Sequence, residues 1–382
     1  MADRLPRLRS TLEHPFAAAS TLIVGATVAL GWSALSFASY QRVMSAPWLP
    51  GYQVGLRSVV EEGAMSLFFA SVGLELSREA HARQRGHLRG SLPAVSGAVG
   101  GMLATAGLSL LLGLLLHSPA LHRGWGVPIA TDIAFTLGVL ALAGPGVPNA
   151  LRLFLLTLAV TDDVLSVVIL SLTGVTHVRV VGLVLAAVVA AGAVRWGRRL
   201  PPAPTLVVLL VATWGSFAYA RVDPALSGVV AGLLIRVASP ASRRLERRVL
   251  RSSIGLVLPL FALVACGVSW TTLRPTGAGA TIIAATVAIR LAGKTLGIAA
   301  GVAVAGACGL RRHPSITRPL VVGAGLLCAI GVTVPLLFAG ALYPPSSTTY
   351  GAFTVGLLLA SLLGAGAGLT VVRRATRTRG DA

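Results

Sequence analysis

Long apolar runs alternate with short polar connections along the whole chain. A run of about 17–25 apolar residues is long enough to cross the hydrocarbon core of a bilayer as one helix. The runs predict about twelve such spans, at residues 15–37, 54–76, 91–116, 127–143, 150–172, 178–194, 204–220, 224–237, 254–270, 277–306, 319–342 and 351–372. We therefore expect an all-α polytopic membrane protein.

The polar connections, such as residues 77–90 and 238–253, are too short to hold a soluble domain. We predict one membrane domain over residues 1–382, with residues 1–12 as a cytoplasmic N-terminal segment and residues 373–382 as a cytoplasmic tail. The first apolar run is longer than the 7–15-residue core of a signal peptide, so it is interpreted as the first span.

Composition supports the membrane assignment, because 55% of the residues are hydrophobic, 12% are charged and the mean hydropathy is +0.82. A soluble globular protein carries about 25% charged residues. The formal net charge of +20 could suggest nucleic acid, but with a cytoplasmic N-terminus 24 basic residues fall on inner segments and 6 on outer ones. This asymmetry predicts a multi-pass protein of a bacterial plasma membrane with both termini cytoplasmic, in contact with anionic lipids and not with nucleic acid.

Two adjacent acids, Asp162 and Asp163, lie near the middle of the apolar run at residues 151–170. A charged side chain at the membrane centre costs about 2.5–3.5 kcal/mol, so such groups are functional by default. Successive residues of a helix point about 100° apart, so the two acids can have different partners. The alternative is that both acids only support helix packing.

Lys294 is the only lysine of the chain, and it lies inside the tenth apolar run. A buried lysine can release its proton, whereas an arginine in a protein cannot. We therefore favour a functional lysine over one whose ammonium reaches the membrane interface.

The fourth and eleventh runs contain helix breakers. Pro128 precedes Thr131 and Asp132 in the fourth run, and glycines precede Pro335 in the eleventh. Interrupted spans at corresponding places in two halves are typical of inverted-repeat transporters, with the binding site where the broken helices cross at the membrane midplane. A simple proline kink is the alternative for the fourth run.

Other charged residues lie near the ends of runs. Glu75, Arg78 and Glu79 can share one helix face, either as a solvated ion-pair cluster or as a pH-responsive one. Asp223 precedes a proline and can cap a helix. Glu246 lies among arginines in the polar stretch 238–253, where it could be an ordinary surface charge. Three cysteines show no metal-ligand spacing, so neither a zinc site nor a disulfide framework is predicted.

Eight segments, in order over nearly the whole chain, resemble the bacterial NhaA-type sodium/proton antiporter family, itself a known case of inverted repeats. The segments are GLELSREA (73–80), ATDIAFTLGVLAL (130–142), LTLAVTDDVLSVVI (156–169), LSGVVAG (226–232), SPASRRLE (239–246), LPLFA (258–262), GKTLGI (293–298) and VVGAGLLCAIGVT (321–333).

This resemblance implies a secondary antiporter, not an enzyme, that exchanges cytoplasmic Na⁺ or Li⁺ for external H⁺ without a cofactor. It implies that Asp162 and Asp163 are the transport carboxylates, that Lys294 is the partner of Asp162, and that Thr131 and Asp132 lie near the bound ion. By resemblance we also expect a homodimer. The implied pH-response cluster is Glu75, Arg78, Glu79 and Glu246.

The chain departs from the family pattern at several positions. Asp223 stands where the family often has histidine, Glu61 and Glu62 stand where Asn-Asp is usual, and Pro335 replaces a usual serine. These differences concern the pH set-point and the ion selectivity. They make Glu62 and Asp223 candidates for an accessory proton path.

Other functions fit the charged residues less well. A proton- or sodium-coupled symporter of an organic solute on the same fold would need a larger polar cavity than these spans provide. An intramembrane aspartyl protease needs two acids on facing helices and has no use for Lys294. A non-transporting scaffold does not explain the charged groups inside the spans.

Overall fold

The computed structural model describes residues 15–47, 55–82, 87–172, 178–196, 200–267, 277–310, 312–344 and 347–380. In these ranges the regular structure is helical, and only Pro47 and Gly55 form an isolated β-bridge. The α-helices of five or more residues are α1 Pro15–Leu35, α2 Phe37–Ser45, α3 Met65–Ala82, α4 His87–Leu115, α5 Pro119–Arg123, α6 Ile133–Ala141, α7 Asn149–Leu172, α8 Val180–Trp196, α9 Pro202–Ala220, α10 Ser227–Leu234, α11 Pro240–Ser252, α12 Leu258–Ala265, α13 Gly277–Ala288, α14 Lys294–Ala307, α15 Arg318–Leu327, α16 Thr333–Leu342 and α17 Thr348–Gly380.

Five helical stretches among the described residues are long and apolar enough to cross a membrane. They are Ser91–Leu115, Pro202–Ala220, Pro240–Ala265, Gly277–Ala307 and Thr348–Arg377. Four shorter apolar helices accompany them. Large apolar side chains on these helices, including Leu103 and Val211, are exposed, as expected for surfaces that face lipid. The protein is therefore a multi-pass membrane protein.

The chain divides into two compact units. The first comprises Met1–Arg85 with Thr176–Val268, and the second comprises Gly86–Val175 with Ser269–Ala382. The residues predicted for the ion site all belong to the second unit, and those predicted for pH response and for the accessory path all belong to the first.

In the first unit, α3 packs against α10 and α11, α1 packs against α12, and α8 packs against α9. Leu74, Leu209 and Ile235 belong to its buried apolar core. Tyr40 of α2 is fully buried, and its hydroxyl lies 2.8 Å from the carbonyl oxygens of Leu263 and Val264. This contact ties α2 to the end of α12.

In the second unit, α4 packs along α14, and α17 packs against α13 and α15. A Cβ atom at Gly100 of α4 would lie 2.3 Å from the carbonyl oxygen of Gly297 of α14. Only glycine permits this approach of two backbones, which is a common way for membrane helices to pack closely. Because Lys294 begins α14, the close α4–α14 pair also fixes the position of Lys294.

Two helices of the second unit are interrupted. Between α5 and α6 the chain passes through turns at residues 124–129 and leaves helical geometry at residues 130–132. Between α15 and α16 it passes through a turn at residues 328–329 and leaves helical geometry at residues 330–332. These interruptions lie in the fourth and eleventh apolar runs.

Three π-helical segments occur among the described residues. They are Val59–Ala64, which leads into α3, Ser253–Val257, which joins α11 to α12, and Ile289–Gly293, which joins α13 to α14. A π-helical turn re-aims the side chains of an otherwise regular helix, and such turns are frequent at functional sites.

The polar stretch 238–253 is not the simple connection that its composition suggests. Ser239 caps α11 through a capping box and Pro240 stands in its first turn, so a helix begins here and continues into α12. Helix α2 likewise follows the first span, and α17 extends to Gly380 through the segment predicted as a tail. Apolar runs alone do not predict these helical parts, because the parts are amphipathic or polar.

Candidate functional site

The central feature of the second unit is a buried ion pair between α7 and α14. The ammonium Nζ of Lys294 lies 2.7 Å from both carboxylate oxygens of Asp162. Both residues have 0% of their surface exposed. Two opposite charges can be kept together in such a place because each satisfies the other's hydrogen bonds.

Asp163 follows on the same helix and is also buried, with 7% of its surface exposed. Because consecutive helical residues point about 100° apart, it does not share the direction of Asp162. The structure thus separates the two adjacent acids into one that binds Lys294 and one that faces another direction.

Thr131 and Asp132 lie in the first interruption and connect it to the second. The Thr131 hydroxyl donates a 2.9 Å hydrogen bond to the carbonyl oxygen of Cys328, and the Asp132 backbone N–H donates one of the same length to the carbonyl oxygen of Ile330. Both residues are buried. The two interruptions therefore meet directly, and a threonine hydroxyl and a carboxylate lie where they meet.

Asp132 is also the residue that precedes the first turn of α6. The N-terminal end of a helix carries a partial positive charge, so a carboxylate is favourable there. This explains how an acid is tolerated at a buried interruption. Carboxylate oxygens such as those of Asp132 are hard ligands of the type that Na⁺ accepts.

Arg290 is a fully buried charged residue to which the apolar pattern of the sequence assigns no role. Its guanidinium has 0% exposure and donates three hydrogen bonds, from Nε to the carbonyl oxygen of Ala329 at 2.9 Å, and from Nη1 and Nη2 to those of Pro128 and Ala130 at 3.0 Å each. Arg290 lies in the π-helical segment four residues before Lys294. It therefore contacts both interruptions at once.

Gly331 makes room for this guanidinium. A Cβ atom at Gly331 would lie 2.4 Å from Nη2 of Arg290 and 2.7 Å from the carbonyl oxygen of Ala130. The backbone N–H of Gly331 donates a 3.1 Å hydrogen bond to the Ser361 hydroxyl oxygen. Any larger side chain at this position would displace the arginine or the first interruption.

The buried charges of the second unit add up to a small excess of negative charge. Among its described residues the acids are Asp132, Asp162 and Asp163, and the fully buried bases are Arg290 and Lys294. With all five groups ionised, one negative charge remains, which one monovalent cation or one proton can neutralise.

The predicted pH-response cluster lies in the first unit. Arg78 of α3 and Glu246 of α11 form an ion pair with an N–O distance of 3.4 Å. Glu246 is 8% exposed, so the alternative that it is an ordinary surface charge is wrong. Glu75 is half-buried on the same helix as Arg78, while the side chain of Glu79 lies outside the described residues.

The two accessory candidates are also in the first unit. Asp223 caps the turn Pro224–Leu226 by accepting a 2.9 Å hydrogen bond from the backbone N–H of Ala225. Burial and the nearby charge of Glu62 raise the pKa of Asp223 to about 6, against the opposing effect of the Ala225 N–H. The backbone carbonyl of Glu62 accepts a hydrogen bond from Trp214, and the neighbouring Glu61 pairs with Arg57 at 3.7 Å.

The sequence is similar to proteins of one family over nearly its whole length. The family model described as Na⁺/H⁺ antiporter 1 matches residues 9–372. The chain is 37% identical to the Na⁺/H⁺ antiporter NhaA 2 of Frankia alni, over 99% of this chain and 82% of the relative. It is 36% identical to the Na⁺/H⁺ antiporter NhaA of Acidovorax sp., over 98% and 95%. The chain belongs to the NhaA-type Na⁺/H⁺ antiporter family.

Membership in the NhaA family decides between the functions left open above. The family exchanges Na⁺ for H⁺, which favours exchange over the symport of an organic solute, and it is a family of transporters and not of enzymes. The structure adds a physical reason against the aspartyl protease alternative, because Asp162 and Asp163 lie on one helix and Asp162 is bound to Lys294.

The sequence of this NhaA-type chain does contain a feature that marks Arg290 as a candidate functional residue. Arg290 is an arginine in the interior of an apolar run, and it precedes Lys294 by four residues, a spacing that brings side chains to one helix face. Its partners could not be anticipated, because they are backbone carbonyl groups and leave no trace in residue type.

Proposed function

We propose that this chain is a secondary antiporter that exchanges cytoplasmic Na⁺ or Li⁺ for external H⁺, and that the two ions compete for the carboxylate of Asp163. The observation that carries the proposal is the 2.7 Å pairing of Asp162 with Lys294, which commits one of two adjacent buried acids to a basic partner. A carboxylate can hold a proton or a hard cation, but not both. Exposing it to one side of the membrane at a time converts this competition into exchange.

In this proposal Asp163, Asp162, Asp132 and Thr131 form the cation site. The hydroxyl of Thr131 donates its proton to the Cys328 carbonyl, so its oxygen lone pairs remain available to a cation. Carboxylate and hydroxyl oxygens suit a hard ion, and a neutralised site lowers the cost of holding charge inside the membrane. Asp163, Asp162 and Lys294 carry or exchange protons, and no cofactor takes part.

We further propose about twelve spans arranged as inverted repeats, with the broken helices crossing at the membrane midplane. Support comes from the shared pattern of the two interruptions, each a helix followed by a turn, a short non-helical stretch and a second helix. The contact of Asp132 with Ile330 between the interruptions supports the same arrangement. The whole chain of 382 residues is then one transporter domain.

Glu75, Arg78, Glu79 and Glu246 are proposed as a cytoplasmic cluster that sets the pH at which transport begins, and Glu62 and Asp223 as an accessory proton path. The distribution of basic residues supports a bacterial plasma membrane location with both termini cytoplasmic and with anionic lipid around the inner connections. By resemblance to the family we also propose a homodimer.

Sodium-dependent proton efflux from proteoliposomes tests this function. The wild-type chain is expected to exchange Na⁺ for H⁺, and Asp163→Asn is expected to insert normally and lose exchange, because an amide can neither carry a proton nor neutralise a cation. Glu61→Gln is the matched control, since it makes the same chemical change in an acid outside the proposed site. Normal transport by a well-folded Asp163→Asn variant would remove Asp163 from the mechanism.

A further inference from the structure

Arg290 is the most deeply buried cation that the proposed transport cycle does not use. It is fully buried, and its three nitrogens each donate to a different backbone carbonyl. Two of those carbonyls belong to the first interruption and one to the second. No other described arginine is fully buried.

A broken helix inside a membrane leaves carbonyl groups without the N–H donors that a continuous helix would supply. Each such group costs several kcal/mol in order of magnitude if nothing bonds to it. The guanidinium is planar and rigid and presents five N–H donors in a fixed fork, so one side chain can serve several carbonyls at once. An ammonium, with donors around one nitrogen, cannot reach three carbonyls from the same position.

The charge of Arg290 also matters to its surroundings. Among the described groups, the carboxylates of Asp162 and Asp132 and the thiol of Cys328 are close enough to interact electrostatically with the guanidinium, and Lys294 follows at the end of the same π-helical segment. Because Asp162 and Lys294 neutralise each other, Arg290 offsets one of the two remaining acids. It thereby leaves a net charge that one monovalent ion can neutralise.

We propose that Arg290 is a positioning residue of the ion site. Its guanidinium holds the non-helical segments of both interruptions in place through their backbone carbonyl groups, and its fixed positive charge limits the attraction of the site for cations. The proposal rests on the proposed function, in which the cation binds where these interruptions meet. Gly331 contributes to the same arrangement, because the absence of a side chain at this position leaves space for the guanidinium.

The two contributions can be separated with two variants. Arg290→Lys keeps the positive charge and loses most of the carbonyl contacts, while Arg290→Gln keeps an amide donor and loses the charge. Arg312→Gln is the matched control, since Arg312 lies in the same unit and also donates to a backbone carbonyl, that of Ile316. The readouts are KM for Na⁺ and kcat in proteoliposomes at an alkaline pH where KM no longer changes, and the thermal unfolding temperature in detergent.

We expect Arg290→Gln to lower KM for Na⁺ by about tenfold, because removal of a nearby positive charge strengthens the attraction of the remaining carboxylates for a cation. Its kcat should fall at the same time, since tighter binding and a loosened pair of interruptions both slow release. Arg290→Lys should keep KM within about twofold of the wild type and should lose kcat and thermal stability. The control should leave KM and kcat unchanged.

An unchanged or raised KM in Arg290→Gln, with kcat falling only in step with stability, would show that the guanidinium is merely structural and would overturn the proposal. If Arg290→Gln fails to insert, Arg290→Lys decides, since wild-type KM, kcat and stability in that variant would show that the three-carbonyl geometry is not needed. Failure of the proposed function is a separate result, because it appears as exchange by Asp163→Asn whatever the Arg290 variants do.

Discussion

Lys294 binds both oxygens of the Asp162 carboxylate at 2.7 Å, although the two residues are 132 positions apart in the chain. Inside a membrane such a pair is stable only as a pair, because either charge alone would lack solvation. The pair therefore connects α7 to α14. Protonation of Asp162 or deprotonation of Lys294 would remove the attraction between opposite charges that strengthens this connection.

The first prediction concerns the stability of this pair. Lys294→Ala leaves Asp162 as a buried charge without its basic partner, so the unfolding free energy should fall by about 3–5 kcal/mol. Adding Asp162→Asn to that variant should restore part of the loss, because two neutral groups are better than one isolated charge. Thermal unfolding in detergent of the wild type, both single variants and the double variant measures the coupling as a double-mutant cycle. Strictly additive losses would contradict the pairing.

The second prediction concerns the ion pair between Arg78 and Glu246. Glu246→Gln removes the negative partner of Arg78 and should shift the pH at which exchange begins, while the Na⁺ KM at alkaline pH stays within about twofold of the wild type. The reason is that the pair lies in the first unit, whereas the proposed cation ligands belong to the second. Sodium-dependent proton efflux measured across pH tests this expectation.

Arg244→Gln is the control for that experiment, because Arg244 is exposed on the same helix as Glu246. It should leave the pH profile unchanged. If Glu246→Gln also leaves the profile unchanged, the pair has no role in pH response and serves only to join α3 to α11.

The apolar runs predicted where most described helices lie because the bilayer imposes a minimum length on any span. Asp162, Asp163 and Lys294 could be found from sequence because charged residues are rare inside apolar runs. Helix α11 could not be found in this way, since its signals are the cap at Ser239 and the buried stripe with Glu246, not hydropathy. The contacts of Arg290 cannot be predicted from sequence, because its partners are backbone atoms that only the folded chain brings together.

The third prediction follows from the raised pKa of Asp223. Its folded pKa of about 6 lies above the ordinary value of 3.8, so the folded protein binds more protons than the unfolded chain between these values. Stability contributed by this group is therefore present at acid pH and is lost as pH rises from about 4 to about 6. Asp223→Asn should remove this pH dependence and stabilise the protein at pH 8 by about 1–2 kcal/mol.

Asparagine is the appropriate replacement at Asp223 because its side-chain oxygen can still cap the Ala225 N–H. Thermal unfolding at pH 4, 6 and 8 compares the variant with the wild type, and Glu61→Gln serves as the control for loss of a nearby negative charge. Lower stability of Asp223→Asn at pH 8 would mean that the ionised carboxylate is favourable there, contrary to the expected effect of its burial.

The last prediction concerns the competition of Na⁺ and H⁺ at Asp163. Na⁺ can bind only the ionised carboxylate, so below the pKa of the site each bound Na⁺ must displace a proton. The apparent KM for Na⁺ should then fall about tenfold for each unit of rising pH, and it should become constant once the site is ionised. The maximal rate at saturating Na⁺ should decline at the most alkaline pH, where protons become limiting for the return step. Initial rates of exchange in proteoliposomes, measured over a matrix of pH and Na⁺ concentration, test both the fall of KM and the decline of the maximal rate. A KM that stays flat from acid to alkaline pH while exchange persists would show that protons and Na⁺ use separate groups, and Glu62 and Asp223 would then be the first residues to substitute.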